Sequence, residues 1–174
     1  MPALTAILAH TPRWVFVVFA LLFVLGVQGL RPRRVALARV FVTPAVFVAW
    51  GLSSLASAAQ ATAMAPVAWA LTAAGGFALA FFAVRLEGLG AEPGGRVRLP
   101  GSVLPLARNM LIFAAKYVLA AALALHPEAR GRLILWDIAV SGASAGYFIG
   151  WTARFLIAYR RTAAAPLPVA PGGG

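Results

Sequence analysis

Apolar residues in this chain run in long unbroken blocks instead of alternating with polar ones, and short clusters of Arg, Pro and Gly separate the blocks. That pattern predicts helices that cross a bilayer, whose hydrocarbon core of about 30 Å takes roughly 20 residues at about 1.5 Å rise each. The first block, Trp14 to Leu30, carries no charge and one strongly polar residue, Gln28. Arg13 alone precedes it, whereas Arg31, Arg33 and Arg34 follow at once. A cleaved signal peptide has the reverse polarity, so this block is expected to stay as a helix over about 12–30.

The 45 residues from 40 to 84 contain no charged side chain. As one helix they would reach about 68 Å, twice the hydrocarbon thickness, so they must fold back on themselves. The least hydrophobic stretch, Ser57 to Pro66, is where the chain turns, giving helices over about 36–56 and 65–85. Pro44 then sits either in the first turn of its helix or at a kink. Residues 86–105 change to Gly, Pro and charge and form the main loop, with Arg96-Val97-Arg98-Leu99 as a short extended piece or interfacial elbow. Further helices are expected over about 106–125 and 133–158. The tail, 163–174, is a low-complexity Pro/Gly/Ala segment of the kind that stays disordered, so residues 1–162 make the helical domain.

Composition removes the soluble alternatives. Of 174 residues 62% are hydrophobic and 11% charged, too few charges to cover a globule. Fifteen Lys plus Arg against four Asp plus Glu give a net charge of +11, which in a soluble chain would suggest nucleic acid. Here the cations fall between apolar blocks, and the stretch around Arg96 lacks interleaved aromatics, so no nucleic-acid partner is expected. Five helices with the N-terminus outside place Arg31, Arg33, Arg34, Arg39, Arg85, Arg96, Arg98, Arg108, Arg160 and Arg161 on the cytoplasmic side. Only Arg13, Arg130 and Arg132 remain outside, a ten to three division that favours N-out/C-in. The tryptophans agree: Trp14, Trp50, Trp69 and Trp136 fall toward the outer helix ends, and Trp151 toward the inner. Zero cysteines exclude disulfides and thiolate chemistry. The bias to Arg over Lys, with abundant Ala, Gly and Pro, points to a GC-rich bacterial genome.

Inside the apolar blocks few groups carry chemistry. Lys116, the only lysine, lies about 13 Å below the outer boundary and Asp137 about 6 Å below it, so an intramembrane ion pair between the last two helices is within reach. A lone snorkelling Lys116, or a proton relay, are the alternatives. Gly142, Gly146 and Gly150 repeat every four residues, a stripe that admits a second backbone. Packing within the bundle, with Gly75 and Gly76 facing it, is preferred to a dimer interface. His10, His126, Glu128 and Asp137 would gather at the outer surface, but their spacing follows no ligand pattern, and neither metal nor cofactor is expected. HExxH and P-loop patterns are absent.

The order of ILAHTPRWV at 7–15, RPRR after the first block, VRLPGSVLPL at 97–106 and IFAAKY at 112–117 resembles a family of small bacterial inner-membrane proteins known only as a domain of unknown function. The similarity covers nearly all of the chain except its tail. It implies a multi-pass protein and no catalytic residues.

These readings combine into an all-α bundle of five transmembrane helices, N-out/C-in, in the bacterial inner membrane, with Arg31, Arg33, Arg34 and Arg39 as cytoplasmic anchors. A non-enzymatic component, associated with lipid and with itself or a membrane-protein partner, is the leading expectation. A small transporter or channel using Lys116 and Asp137 is the alternative.

Overall fold

The computed structural model describes residues 11–163. Five helices account for most of them: α1 (Arg13–Gln28), α2 (Leu37–Ala59), α3 (Ala65–Ala78, continued by a π-helical turn, Leu79–Ala83), α4 (Leu104–Leu125) and α5 (Arg130–Ala163). Three short strands join them: β1 (Arg33–Ala36), β2 (Gly90–Glu92) and β3 (Arg96–Leu99). The N-terminal ten residues, with His10, and the tail from 164 lie outside this description.

Four of these helices, with α3 counted through its π turn, are long and apolar enough to cross a bilayer. The exception is α1, whose described 16 residues make about 24 Å, short of the roughly 30 Å core. Its last turn tightens, with the Gly29 amide reaching the Gly26 carbonyl and the Leu30 amide that of Val27, so the stretch expected to be helical to residue 30 ends as a turn. Pro44 falls in the third turn of α2, not in its first. There it lacks the N–H that would bond the Val40 carbonyl.

The expected all-α fold needs correction at one end, where the short extended piece expected at Arg96–Leu99 proves to be one strand of a sheet. Residues from two separate connectors, 31–36 and 86–103, form an antiparallel sheet in the order β1-β3-β2. Arg33 pairs with Leu99 and Ala36 with Arg96 on one side of β3, and Gly90 pairs with Arg98 on the other. Pro93, Gly94 and Gly95 join β2 to β3, and both glycines take positive φ (74° and 69°), which a side chain would resist. Alternation along the strands puts Val35, Val97 and Leu99 on the face toward the helices. Val97 is fully buried there with Leu89 and Phe155. The long α5 makes this possible: at 34 residues, about 51 Å, it runs past any hydrocarbon core and gives the sheet a floor.

Within the bundle α5 is central, flanked by α2, α3 and α4, while α1 rests on α4. Glycines set these approaches. A Cβ on Gly142, Gly146 or Gly150 would overlap the α3 backbone at Trp69, Ala73 or Phe77, and one on Gly76 would overlap Ala143. Gly75, one residue away, faces open space. Close approach of this kind brings backbones into dispersion contact where lipid supplies no hydrophobic drive. Three glycines that hydropathy does not single out act alike. Gly51 admits Ala145 and Ser141, and Gly26 and Gly29 admit Leu106 and Pro105. The remaining core is aromatic and aliphatic, with Phe47 stacked on Phe148 at 4.5 Å and Leu22 beside them.

The outward faces are apolar. Phe16, Leu21 and Phe23 of α1, Leu71 and Phe82 of the α3 segment, and Leu111 and Val118 of α4 are all exposed. In water that surface would be a large aggregation patch, whereas lipid covers it without cost.

Candidate functional site

Lys116 projects from the middle of α4 toward α5, where Asp137 and Ser141 stand one turn apart on the same face. Its ammonium donates to Asp137 Oδ1 at 2.5 Å and to Ser141 Oγ at 2.9 Å. The carboxylate accepts, and the hydroxyl, itself buried, takes a second proton of the cation. Ser141 is held in turn: its carbonyl accepts from Ser144 Oγ at 3.0 Å and lies against Gly51 of α2. The pair thus ties α4 to α5 at the point where α2 also packs. The Lys116 side chain is 14% exposed and that of Asp137 27%, so both charges are mostly withdrawn from solvent. A cation so placed is stable only with its counter-charge and added hydrogen bonds, and here it has both. The neighbouring Tyr117 hydroxyl is engaged with Thr11 Oγ1 at 2.7 Å, joining α4 to the start of α1.

Ser141 is the member that the sequence reading passed over. Its signal in the sequence is a hydroxyl four residues after Asp137, masked because it stands among the small residues beside the glycine stripe.

At the sheet end the arginines separate into two groups. Arg34 and Arg98 lie on the outer sheet face and share Glu92, at 3.0 and 3.5 Å. Arg33 points to the inner face and, with Arg39, Arg85 and Arg108, lines a cleft of about 180 Å³ between the sheet and the helix ends. Arg31 is exposed on the turn before β1. Burial, and then the nearby charge of Arg39, push the Arg33 guanidinium below its ordinary value. The sequence shows these residues as equivalent anchors, because the two faces of a strand cannot be told apart before its register is known.

At the opposite end His126 Nδ1 lies 3.1 Å from Glu128 Oε1, both exposed in the connector before α5. The Glu128 backbone amide, and then His126, hold that carboxyl below its usual range. His126 and Glu128 pair with each other, Asp137 is committed to Lys116, and His10 lies outside the described residues. Among the described residues no three His, Cys, Asp or Glu side chains converge as a metal site would need.

No curated protein and no solved structure gave a significant match to this chain. A family model does match, over residues 2–166, which spans all the elements described above. The chain belongs to the family of unknown function DUF6622.

Proposed function

We propose that this protein is a non-enzymatic, multi-pass component of a bacterial cytoplasmic membrane. Five helices cross the bilayer with the N-terminus outside, and the sheet end faces the cytoplasm. The observation that carries this reading is the disposal of polar groups: the outward helix faces are apolar, and the intramembrane charges Lys116 and Asp137 are spent on each other. Lys116, Asp137 and Ser141 act as a structural lock between α4 and α5. Support for the orientation comes from the arginines. The sheet end gathers β1, β3, the start of α2, the start of α4 and the C-terminal part of α5, and with them eleven arginines, Arg154 included, against three near the other end. Since the face bearing Gly142, Gly146 and Gly150 is taken up by α3, association with a second copy or a membrane-protein partner falls to the outer faces.

One observation favours a second reading, a small transporter or channel. Asp137, Ser141 and Ser144 follow one another along α5, and the charged pair keeps some exposure. Substitution separates the two. As a lock, Lys116→Ala and Asp137→Ala each lower stability by about 1–2 kcal/mol, read as reduced abundance and earlier unfolding in detergent. The double variant is then no worse than the poorer single. Unchanged abundance with loss of a proton or solute flux in reconstituted vesicles would replace the lock by the transport reading.

A further inference from the structure

The cleft under the sheet holds four arginines and no acid. Arg33, Arg39, Arg85 and Arg108 come from β1, α2, the segment after the π turn and α4, so four separate elements line one space with cations, Arg33 and Arg108 half-buried and Arg39 and Arg85 exposed. The acidic residues are committed elsewhere or stand apart. Glu92 serves Arg34 and Arg98, Asp137 serves Lys116, Glu128 pairs with His126, and Glu87 is exposed and does not line the cleft. Among the described residues no carboxylate lies within ion-pair distance of any of the four.

Two of these arginines sit where charge is least expected. Arg33 is the one charged residue on the inner sheet face, beside Val35 and opposite Leu99. Its position next to Arg39 adds repulsion to desolvation, as its lowered proton affinity reflects. Arg108 lies one turn inside α4, its guanidinium 4.3 Å over the ring of the buried Phe148. It donates to the neutral amide oxygen of Asn109, at 3.3 and 3.4 Å, and lies 5.5 Å from the Tyr147 ring centroid, with no carboxylate beside it among the described residues. Stacking and this neighbour fix the plane of the fork without supplying a counter-anion. The N-termini of α2 and α4 open at the same end and carry no acidic residue in their first turns, which adds positive potential although the Leu37 amide is taken by the Gly95 carbonyl and the Leu104 amide by Ser102 Oγ. Trp151, Leu25 and Val40 form apolar walls.

We infer that this cleft is a binding site for a phosphoryl oxyanion, held by the forks of Arg33 and Arg108 with Arg39 and Arg85 as further counter-charges. A planar guanidinium matches a phosphate edge with two parallel hydrogen bonds, a geometry that each of these arginines can offer. At about 180 Å³ the space takes a phosphate and a short headgroup but no acyl chain, which would have to lie along the exposed helix faces. The phosphate is therefore that of an anionic lipid or a small soluble phosphate, two sources with the same chemistry.

Native mass spectrometry of the delipidated full chain in mild detergent distinguishes them. The probes are phosphatidylglycerol, phosphatidylethanolamine and inorganic phosphate, each titrated separately. Retention of phosphatidylglycerol about tenfold above phosphatidylethanolamine, with no phosphate adduct, identifies a lipid site. A phosphate adduct at low concentration identifies a soluble ligand. In either case Arg33→Gln with Arg108→Gln is expected to weaken binding by tenfold or more. The outer-face pair Arg34→Gln with Arg98→Gln, which removes the same charge, leaves binding unchanged. Should the inner pair fail to fold, Arg33→Lys with Arg108→Lys retains the charge without the fork and still weakens binding. Equal loss from the inner and outer pairs, or no selective retention of any probe, overturns the inference.

Discussion

Gly146 faces the Ala73 carbonyl across a gap that no Cβ can enter, whereas Gly75 faces open space. The same substitution therefore has opposite signs at the two sites. Gly146→Ala must push α3 away from α5 and is expected to cost about 1–3 kcal/mol by overpacking. Gly75→Ala removes backbone entropy without a clash and is expected to be neutral or stabilising by up to about 1 kcal/mol. Unfolding in SDS against a mild detergent measures both, and an equal loss at each site would show that the two glycines do not differ in packing. A charged residue follows the same logic of surroundings. Lys116 is tolerated deep in α4 because Asp137 and Ser141 meet it, while Arg108 is tolerated because an aromatic ring lies beneath it.

Helices in this chain are legible from hydropathy because a bilayer demands one uniform apolar length, and that demand leaves the same mark on α2, α3, α4 and α5. Lys116 and Asp137 stand out for the related reason that charge is rare inside such blocks. Alternation makes Arg96–Leu99 legible as an extended piece, but its pairing is hidden because the partner strands are three- and four-residue pieces, and no local pattern in RPRRVA announces a partner some 60 residues away. Without that register, Arg33 and Arg34 look alike, and the cleft has no signature. Gly51 and Gly26 are missed because a single small residue marks a close contact only once the neighbouring helix is in place. At this scale the test is Val97→Asp. It places an unpaired charge at a fully buried position under the sheet, between Leu89 and Phe155. The expected result is protease cleavage within 86–101 with the helical bundle retained by circular dichroism. Resistance equal to that of the natural chain would mean that the sheet does not depend on its apolar inner face.

Taken as a whole, the molecule is a helical bundle with an arginine-rich cap built at one end on the overhanging turns of α5. Its central helix buries one face against the other helices, and the outward faces, those of α5 included, are apolar, which is the arrangement expected of a chain whose solvent is lipid. The absence of native cysteine allows the cap's location to be read directly. Glu87→Cys places a thiol beside the sheet and Glu128→Cys places one in the connector at the far end, both at exposed positions. Labelling intact cells with a membrane-impermeant maleimide, before and after permeabilisation, is the most direct measurement. A cytoplasmic cap gives immediate labelling at 128 and labelling at 87 only after permeabilisation. Labelling at 87 in intact cells, or the same response at both positions, would contradict it.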